Sequence, residues 1–195
     1  EWFNETTNSE SLSAQQAPIQ AAVAHVYFES IHPFEDGNGR IGRAVSDKML
    51  AVALQGPIAL SISNAIERNK AEYYLQLKTA QRSNAISPWI EYFLNLLLEA
   101  QTLAQDTIKF VLKKAQYFDR YGAYLNDRQR KVILRMFEAG EGGFTGGMSA
   151  KKYVSLTGTS KATATRDLQE LEKKGALSRQ GQGRSVRYQL RFEEE

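Results

Sequence analysis

The chain has 195 residues, of which 42% are hydrophobic and 24% are charged, and it contains no cysteine. This composition is typical of a globular protein with one or two domains, and it excludes disulfides and thiolate metal sites. No run of 18 apolar residues and no basic-then-apolar leader occurs. We therefore expect no membrane partner and a cytoplasmic location.

The net charge of +3 conceals a difference between the two parts of the chain. Residues 1–122 carry 11 Lys and Arg against 13 Asp and Glu, whereas residues 123–195 carry 14 against 9. A basic C-terminal region favours contact with nucleic acid. It does not by itself establish that contact.

Four helices are predicted in the first two thirds of the chain. The first begins near Pro18, and the second follows a short loop that contains glycine. A third helix is predicted from Asn64, as its N-cap, through Arg82, and a fourth from Pro88 to about Tyr121. The apolar residues expected to face the core are Ile19, Val23, Val26, Tyr27 and Ile31 in the first helix, and Ile41, Val45, Met49, Leu50 and Ala53 in the second.

The last third of the chain predicts a different architecture. A helix that Gly140 closes precedes a glycine-rich loop, two short helices and a segment that alternates like a hairpin. This order is typical of a winged helix-turn-helix, with Ser160 as the N-cap of the recognition helix. With a boundary near residues 119–126, the domains become 1–120 and 121–195. The fold class is therefore mainly α, with an all-helical core followed by a small winged-helix domain that contains a β-hairpin.

The stretch "HPFEDGNGRIGR", His32 to Arg43, concentrates groups that suit phosphate chemistry. Glycines on either side of Asn38 allow the backbone N–H groups to form a concave anion site at a helix start. Arg40 and Arg43, one helical turn apart, add positive charge. Asp36 is a hard oxygen ligand for Mg²⁺, and His32 is a candidate general base. Together these groups predict phosphoryl or nucleotidyl transfer.

Two other interpretations explain less of this stretch. "GNGRIG" matches G-x-G-x-x-G, but a dinucleotide site requires a preceding strand and an acidic residue about twenty positions later. The preceding segment has a helical pattern, and no acidic residue lies between Asp47 and Glu67. A plain polar turn between helices explains the glycines, but it does not explain the His, Asp and two Arg around them.

The twelve residues resemble the signature of Fic-domain proteins, His-x-Phe-x-(Asp/Glu)-Gly-Asn-Gly-Arg-x-x-Arg, at every defined position. The resemblance extends over roughly residues 1–120. It implies an all-helical domain that transfers AMP from ATP to a Ser, Thr or Tyr hydroxyl of a target protein and releases pyrophosphate. Transfer of other nucleotides or phosphocholine, and removal of AMP by the same site, are alternatives that the motif leaves open.

The same resemblance assigns roles to individual residues. His32 would take the proton from the target hydroxyl, and Asp36 would hold Mg²⁺ or Mn²⁺ on the α- and β-phosphates. Arg43 would meet the γ-phosphate, Phe34 would anchor the loop in the core, and Tyr73 would contact the nucleoside, unless it is simply a core aromatic residue. The ATP-binding set is Asp36, Gly37, Asn38, Gly39, Arg40, Ile41, Gly42, Arg43 and Tyr73.

Two elements common in the family find no match in this sequence. These are the inhibitory Ser/Thr-x-x-x-Glu-Gly/Asn helix and the β-hairpin flap that aligns the target peptide. We expect both to lie upstream of Glu1, in a longer protein of which this chain is a part.

The sequence does not identify the partner of the C-terminal region. DNA contacts are expected from Lys161, Arg166, Arg184 and Arg187, whereas Asp167, Glu170 and Glu172 on the same helix would repel DNA. Recruitment of another protein, or dimerisation with a second copy of the chain, are the alternatives. A transcription regulator whose first domain only senses nucleotide is the rival function. His25, seven residues before His32, is expected to be a packed histidine rather than a second catalytic group.

Overall fold

The computed structural model describes residues 13–56, 58–140 and 142–192, and most of these residues are helical. The chain divides into two compact units, Glu1–Asp106 and Thr107–Glu195, so the division falls within the longest helix. The helices that begin in the first unit are α1 (Ala17–Ile31), α2 (Asn38–Ala53), α3 (Ile62–Arg68), α4 (Lys70–Ala80) and α5 (Ser87–Tyr121).

Helix α1 packs mainly against α2, and it does so through small side chains. The predicted apolar face was wrong at three positions, because Ile19, Tyr27 and Ile31 are 44%, 61% and 58% exposed. The alanines that alternate with them form the buried face instead, which lets the two helix backbones approach closely. At Val26, which is buried, the prediction is confirmed. In α2 the prediction holds for Met49 and Leu50, which are buried.

The third predicted helix is two helices, α3 and α4. Its predicted N-cap was wrong: Ser61 caps α3 and accepts a hydrogen bond from the Asn64 backbone N–H at 3.3 Å. Asn69 interrupts the run because its side chain caps a new helix, accepting from the Glu72 N–H at 3.3 Å. Short polar side chains compete for backbone donors in this way, and they thereby divide helices. The long α5 starts and ends as predicted.

The core of the first unit is built around Trp89 and Phe93 of α5, which are 1% and 0% exposed. The Trp89 indole N–H donates to the Ala22 carbonyl at 2.8 Å, so α5 is hydrogen-bonded to α1 at its core. A buried indole needs such a partner. The pairing fixes α1, and hence the loop that follows it, relative to the core.

The second unit contains the end of α5, three shorter helices and one hairpin. Asn126 and Gln129 form a reciprocal capping box at the start of the first of these helices. The hairpin pairs Leu177 with Leu190 in antiparallel register. After α5, the elements are α6 (Asp127–Phe137), α7 (Ala150–Thr157), α8 (Lys161–Lys173), β1 (Leu177–Gln180) and β2 (Arg187–Leu190).

This element order matches the sequence-based prediction for the C-terminal region, including Ser160 as the cap of α8. Gly158, with φ of 69°, turns the chain between α7 and α8. The assignment of the unit as a winged helix-turn-helix stays a prediction. Within the part of the chain that the structure describes, no helix is both long and apolar enough to cross a bilayer.

Candidate active site

The motif begins where α1 ends. His32 is the C-cap of α1, with its N–H bonded to the Phe28 carbonyl and its backbone in the left-handed region, φ 48° and ψ 57°. A residue before proline is disfavoured in the helical region, so Pro33 explains why the helix stops here. The left-handed conformation costs a non-glycine residue about 1 kcal/mol. The His32 side chain is 61% exposed and is available to a substrate.

The Asn38 side chain holds the loop between α1 and α2 in place through two hydrogen bonds. Its side-chain amide donates to the Phe34 carbonyl at 2.6 Å, and its carbonyl oxygen accepts from the Phe34 N–H at 3.0 Å. Asn38 is 3% exposed, so these two bonds form in a desolvated environment where losing them is costly. The side chain implied to cradle phosphate therefore holds the loop. The backbone N–H groups at the start of α2 are the donors that this loop offers to an anion.

The two motif glycines differ in their reasons for being glycine. Gly37 has φ of 87° and forms the N-cap of α2, as expected for a phosphate-binding turn. Gly39 does not have positive φ, contrary to the predicted nest of two such glycines. A Cβ on Gly39 would lie 3.3 Å from the Arg43 guanidinium, so glycine leaves room for that side chain.

Asp36 and Arg40 lie together on the open side of the loop. Their side chains form an ion pair at 3.1 Å and are 92% and 74% exposed. Such a pair contributes little stability in water, so each partner is free to exchange the other for a ligand. One exposed carboxylate fits Mg²⁺ carried in by a polyphosphate, which supplies most of the oxygen ligands. Among the described residues, no cluster of three His, Cys, Asp or Glu could hold a metal ion without the nucleotide.

Comparison with known proteins finds similarity in the part of the chain that contains this loop. The Fic/DOC family model matches residues 1–50. The N-terminal part of this chain is therefore similar to the Fic/DOC family. The protein adenylyltransferase Fic of Drosophila melanogaster is 29% identical over 150 residues, and that of Drosophila yakuba is 31% identical, each match covering 72% of this chain and 29% of the relative. Protein adenylyltransferase fic-1 of Caenorhabditis briggsae is 32% identical over 85 residues, covering 44% of this chain and 16% of the relative. The chain thus spans less than a third of these relatives' lengths.

The structure bears on the roles that the resemblance implied for Phe34 and Tyr73. Phe34 is 49% exposed and is not the core anchor that the resemblance implied; its ring lies 6.3 Å from that of Phe28. Tyr73 is 2% exposed, and its hydroxyl is 2.8 Å from the His25 Nε2. That position supports the core role that the sequence left as the alternative to nucleoside contact.

His25 is a packed histidine, as predicted. It is fully buried, hydrogen-bonded to Ser46 at 3.2 Å and stacked on Trp89 with 5.8 Å between ring centroids. Burial lowers the pKa of His25 to about 4, and the charge of Arg43 acts in the same direction. The ring is therefore neutral at physiological pH and belongs to the core of the first unit.

Glu29 is the residue that sequence reasoning missed. It lies one turn before His32 on α1, is 6% exposed, and its Oε2 is 4.0 Å from the His32 Nδ1. Burial raises the pKa of Glu29, while the charges of His32 and Arg43 oppose that rise. The available signal was a Glu three positions before the motif histidine, the one acidic residue in that helix.

The second unit carries a separate basic pocket. A cavity of about 500 Å³ lies among α7, α8 and the hairpin, and four basic residues are part of its lining: Lys151, Lys161, Arg179 and Arg187. Of the predicted DNA contacts, the structure brings Lys161 and Arg187 together here. Arg166 is exposed on α8 outside the cavity lining, and the side chain of Arg184 lies outside the described part of the structure.

Two of the acidic residues on α8 that were expected to repel DNA have other partners. Asp167 is 2% exposed and bonds the Arg128 guanidinium at 3.0 Å and the Tyr153 hydroxyl at 2.9 Å. Glu170 accepts from Lys174 at 2.6 Å and from Gln129 at 3.2 Å. The expected repulsion from these two residues is therefore largely neutralised within the unit.

Proposed function

We propose that this chain transfers AMP from ATP to a hydroxyl side chain of a protein. One observation carries the proposal: a single loop between α1 and α2 presents an exposed histidine, an exposed carboxylate and the positive end of a helix. Adenylyltransferase is also the printed name of the relatives. ATP and a target protein are the partners. The cytoplasm is the proposed location, since the cysteine-free chain suits a reducing compartment.

In the proposed reaction, the target oxygen forms a bond to the α-phosphorus as the bond to pyrophosphate breaks. His32 takes the proton from the attacking hydroxyl. Arg40, Arg43 and the N–H groups at the start of α2 bind phosphate oxygens and offset the charge that passes to pyrophosphate. Mg²⁺ held by Asp36 would neutralise charge on the α- and β-phosphates when the nucleotide is bound.

The test incubates the chain with Mg²⁺ and ATP, with and without cell lysate, and follows protein-bound label. We expect label from α-labelled ATP but none from γ-labelled ATP, and we expect His32→Ala to abolish it. Asp36→Ala should lower the labelling at least tenfold, whereas its exposed neighbour serves as the matched control: Glu35→Gln should retain full labelling.

Three results would contradict AMP transfer. Label from the γ-phosphate would indicate a kinase, and loss of AMP from an already labelled protein would indicate the reverse reaction. Nucleotide binding without labelling, unchanged by His32→Ala, would favour the sensing role.

A second function, binding of duplex DNA by the C-terminal unit, is favoured by the basic pocket. Four cations line it, and Asp167 and Glu170 are engaged elsewhere, so phosphate contacts are expected from α8 and the hairpin. Fluorescence anisotropy with a random 30-base-pair duplex should show affinity that falls with salt. Lys161→Ala and Arg187→Ala should each reduce the slope of log K against log salt by about 1.

Lys174→Gln is the matched control for this measurement, because its amino group is already bonded to Glu170 and to the Tyr124 carbonyl. It should leave the affinity unchanged. Binding that is independent of salt, or equally weakened by Lys161→Ala and Lys174→Gln, would contradict the assignment. His32→Ala should not affect DNA binding, which separates the two functions.

A further inference from the structure

Glu29 is a buried acid beside the catalytic loop for which the proposed reaction has no use. Its Oε1 has no hydrogen-bond donor within reach among the described residues. Its Oε2 is 4.0 Å from the His32 Nδ1. Burying a carboxylate oxygen without a hydrogen-bond donor costs free energy. The presence of a buried Glu at this position therefore requires an explanation.

The residues around Glu29 leave space for its carboxylate. A Cβ on Gly42 would lie 2.6 Å from the Glu29 Oε1, so a larger residue at that position would push the carboxylate aside, whereas glycine leaves it in place. The Cβ position of Gly39 is 3.9 Å from the same oxygen and 3.3 Å from the Arg43 guanidinium. The carboxylate thus lies between α1 and α2, beside the His32 ring and near the positive charge of Arg43.

We propose that Glu29 is a positioning residue for His32: its carboxylate accepts a hydrogen bond from the His32 Nδ1–H, leaving Nε2 free to take the proton of the target hydroxyl. The catalytic part of this inference rests on the proposed AMP transfer. The contact itself is a property of the chain and can be tested without turnover.

Physical chemistry supports this role in two ways. The hydrogen bond made by one ring nitrogen determines which nitrogen of a neutral histidine carries the proton, and an acceptor at Nδ1 selects the Nδ1–H form. After proton transfer, the ring becomes a cation beside a carboxylate in a desolvated site, which stabilises it. The separation of 4.0 Å is longer than a hydrogen bond, as is common for catalytic pairs before substrate binds.

The competing explanation is that Glu29 only balances the charge of Arg43. That role would affect phosphate binding and stability, but it would not affect the proton on His32. Asp47 provides a control for it, because it is a second acid near Arg43 whose pKa is raised by burial. Among the described residues its Oδ1 has no hydrogen-bond partner.

The first measurement is the tautomer of His32 at pH 9, from the nitrogen chemical shifts of the imidazole rings. The chain has only two histidines, and His32→Ala assigns the signals. We expect the Nδ1–H form to dominate in the unmodified chain, and Glu29→Met, which removes the acceptor, to move the ring towards the Nε2–H form. Asp47→Asn should leave the spectrum unchanged.

The second measurement is the rate of AMP transfer. Glu29→Gln keeps an acceptor and removes the charge, so we expect at least a tenfold lower kcat with the KM for ATP changed less than twofold. If Glu29 acted only on Arg43, Glu29→Gln would instead raise the KM for ATP. Asp47→Asn should retain kcat.

Each of the two tests remains informative if the other one fails. If no variant or parent transfers AMP, the tautomer measurement still decides the contact. If Glu29→Met does not fold, Glu29→Gln decides the question through kcat and KM. A folded Glu29→Met protein with the parent's tautomer, or a Glu29→Gln protein with the parent's kcat, would overturn the proposal.

Discussion

Acidification should destabilise the first unit through His25. The ring is fully buried between Ser46 and Tyr73, and burial lowers its pKa to about 4, against 6.5 for an exposed histidine. The unfolded chain therefore binds a proton at a higher pH than the folded chain does. The stability linked to His25 is complete above pH 6.5 and is lost as the pH falls from 6.5 towards 4.

The magnitude follows from the two pKa values. A difference of about 2.5 pH units corresponds to about 3 kcal/mol once the pH is below both values. Between pH 7.5 and 5.5 the loss is about 1.4 kcal/mol, and between pH 7.5 and 5.0 it is about 2 kcal/mol. Burial raises the pKa of Glu29 and Asp47, so their contributions have the opposite sign as the pH falls.

Urea unfolding followed by Trp89 fluorescence measures this loss. The chain has two tryptophans, and a Trp2→Phe background leaves Trp89, which stacks on His25, as the single reporter. The comparison protein carries His25→Gln in the same background. It should be less stable at pH 7.5 and should have a flatter dependence on pH, while the contributions of Glu29 and Asp47 remain in both proteins.

The reasoning is refuted if the free energies of unfolding of the two proteins fall in parallel between pH 7.5 and 5.0. Parallel curves would mean that His25 is not the titrating group. They would also contradict a neutral, fully packed ring at this position.

Three further substitutions have defined outcomes. Gly42→Ala should displace the Glu29 carboxylate, because the new Cβ would lie 2.6 Å from the Glu29 Oε1. The substitution should lower kcat for AMP transfer without changing DNA affinity. An unchanged kcat would argue against the tight fit between Gly42 and Glu29. Asn38→Ala should cost about 1–2 kcal/mol through loss of both bonds to Phe34, measured by thermal unfolding, and a wild-type melting curve would show that the loop does not depend on them. Asp167→Asn should destabilise the second unit by about 1–3 kcal/mol, seen in its urea midpoint, since it removes a buried charge from the Arg128 guanidinium; no shift would mean that the pair is energetically neutral.

Local patterns were sufficient for most elements. The ends of α5, the cap of α8 and the order of helices and hairpin in the second unit follow from prolines, caps and glycines that act on their immediate neighbours. The division of the predicted third helix was missed because Asn69 can cap a helix or sit inside one. Its choice depends on how the flanking segments pack.

The sequence by itself determined which chemical groups the candidate site contains. His32, Asp36, Gly37 and the two motif arginines lie within twelve residues, so one loop must bring them together whatever surrounds it. The tertiary structure decided which side chains are buried beside that loop. The alanine face of α1, the core position of Tyr73 and the carboxylate of Glu29 beneath His32 all depend on how α1 meets α2. Burial depends on contacts between segments distant in the chain, and no local pattern encodes them.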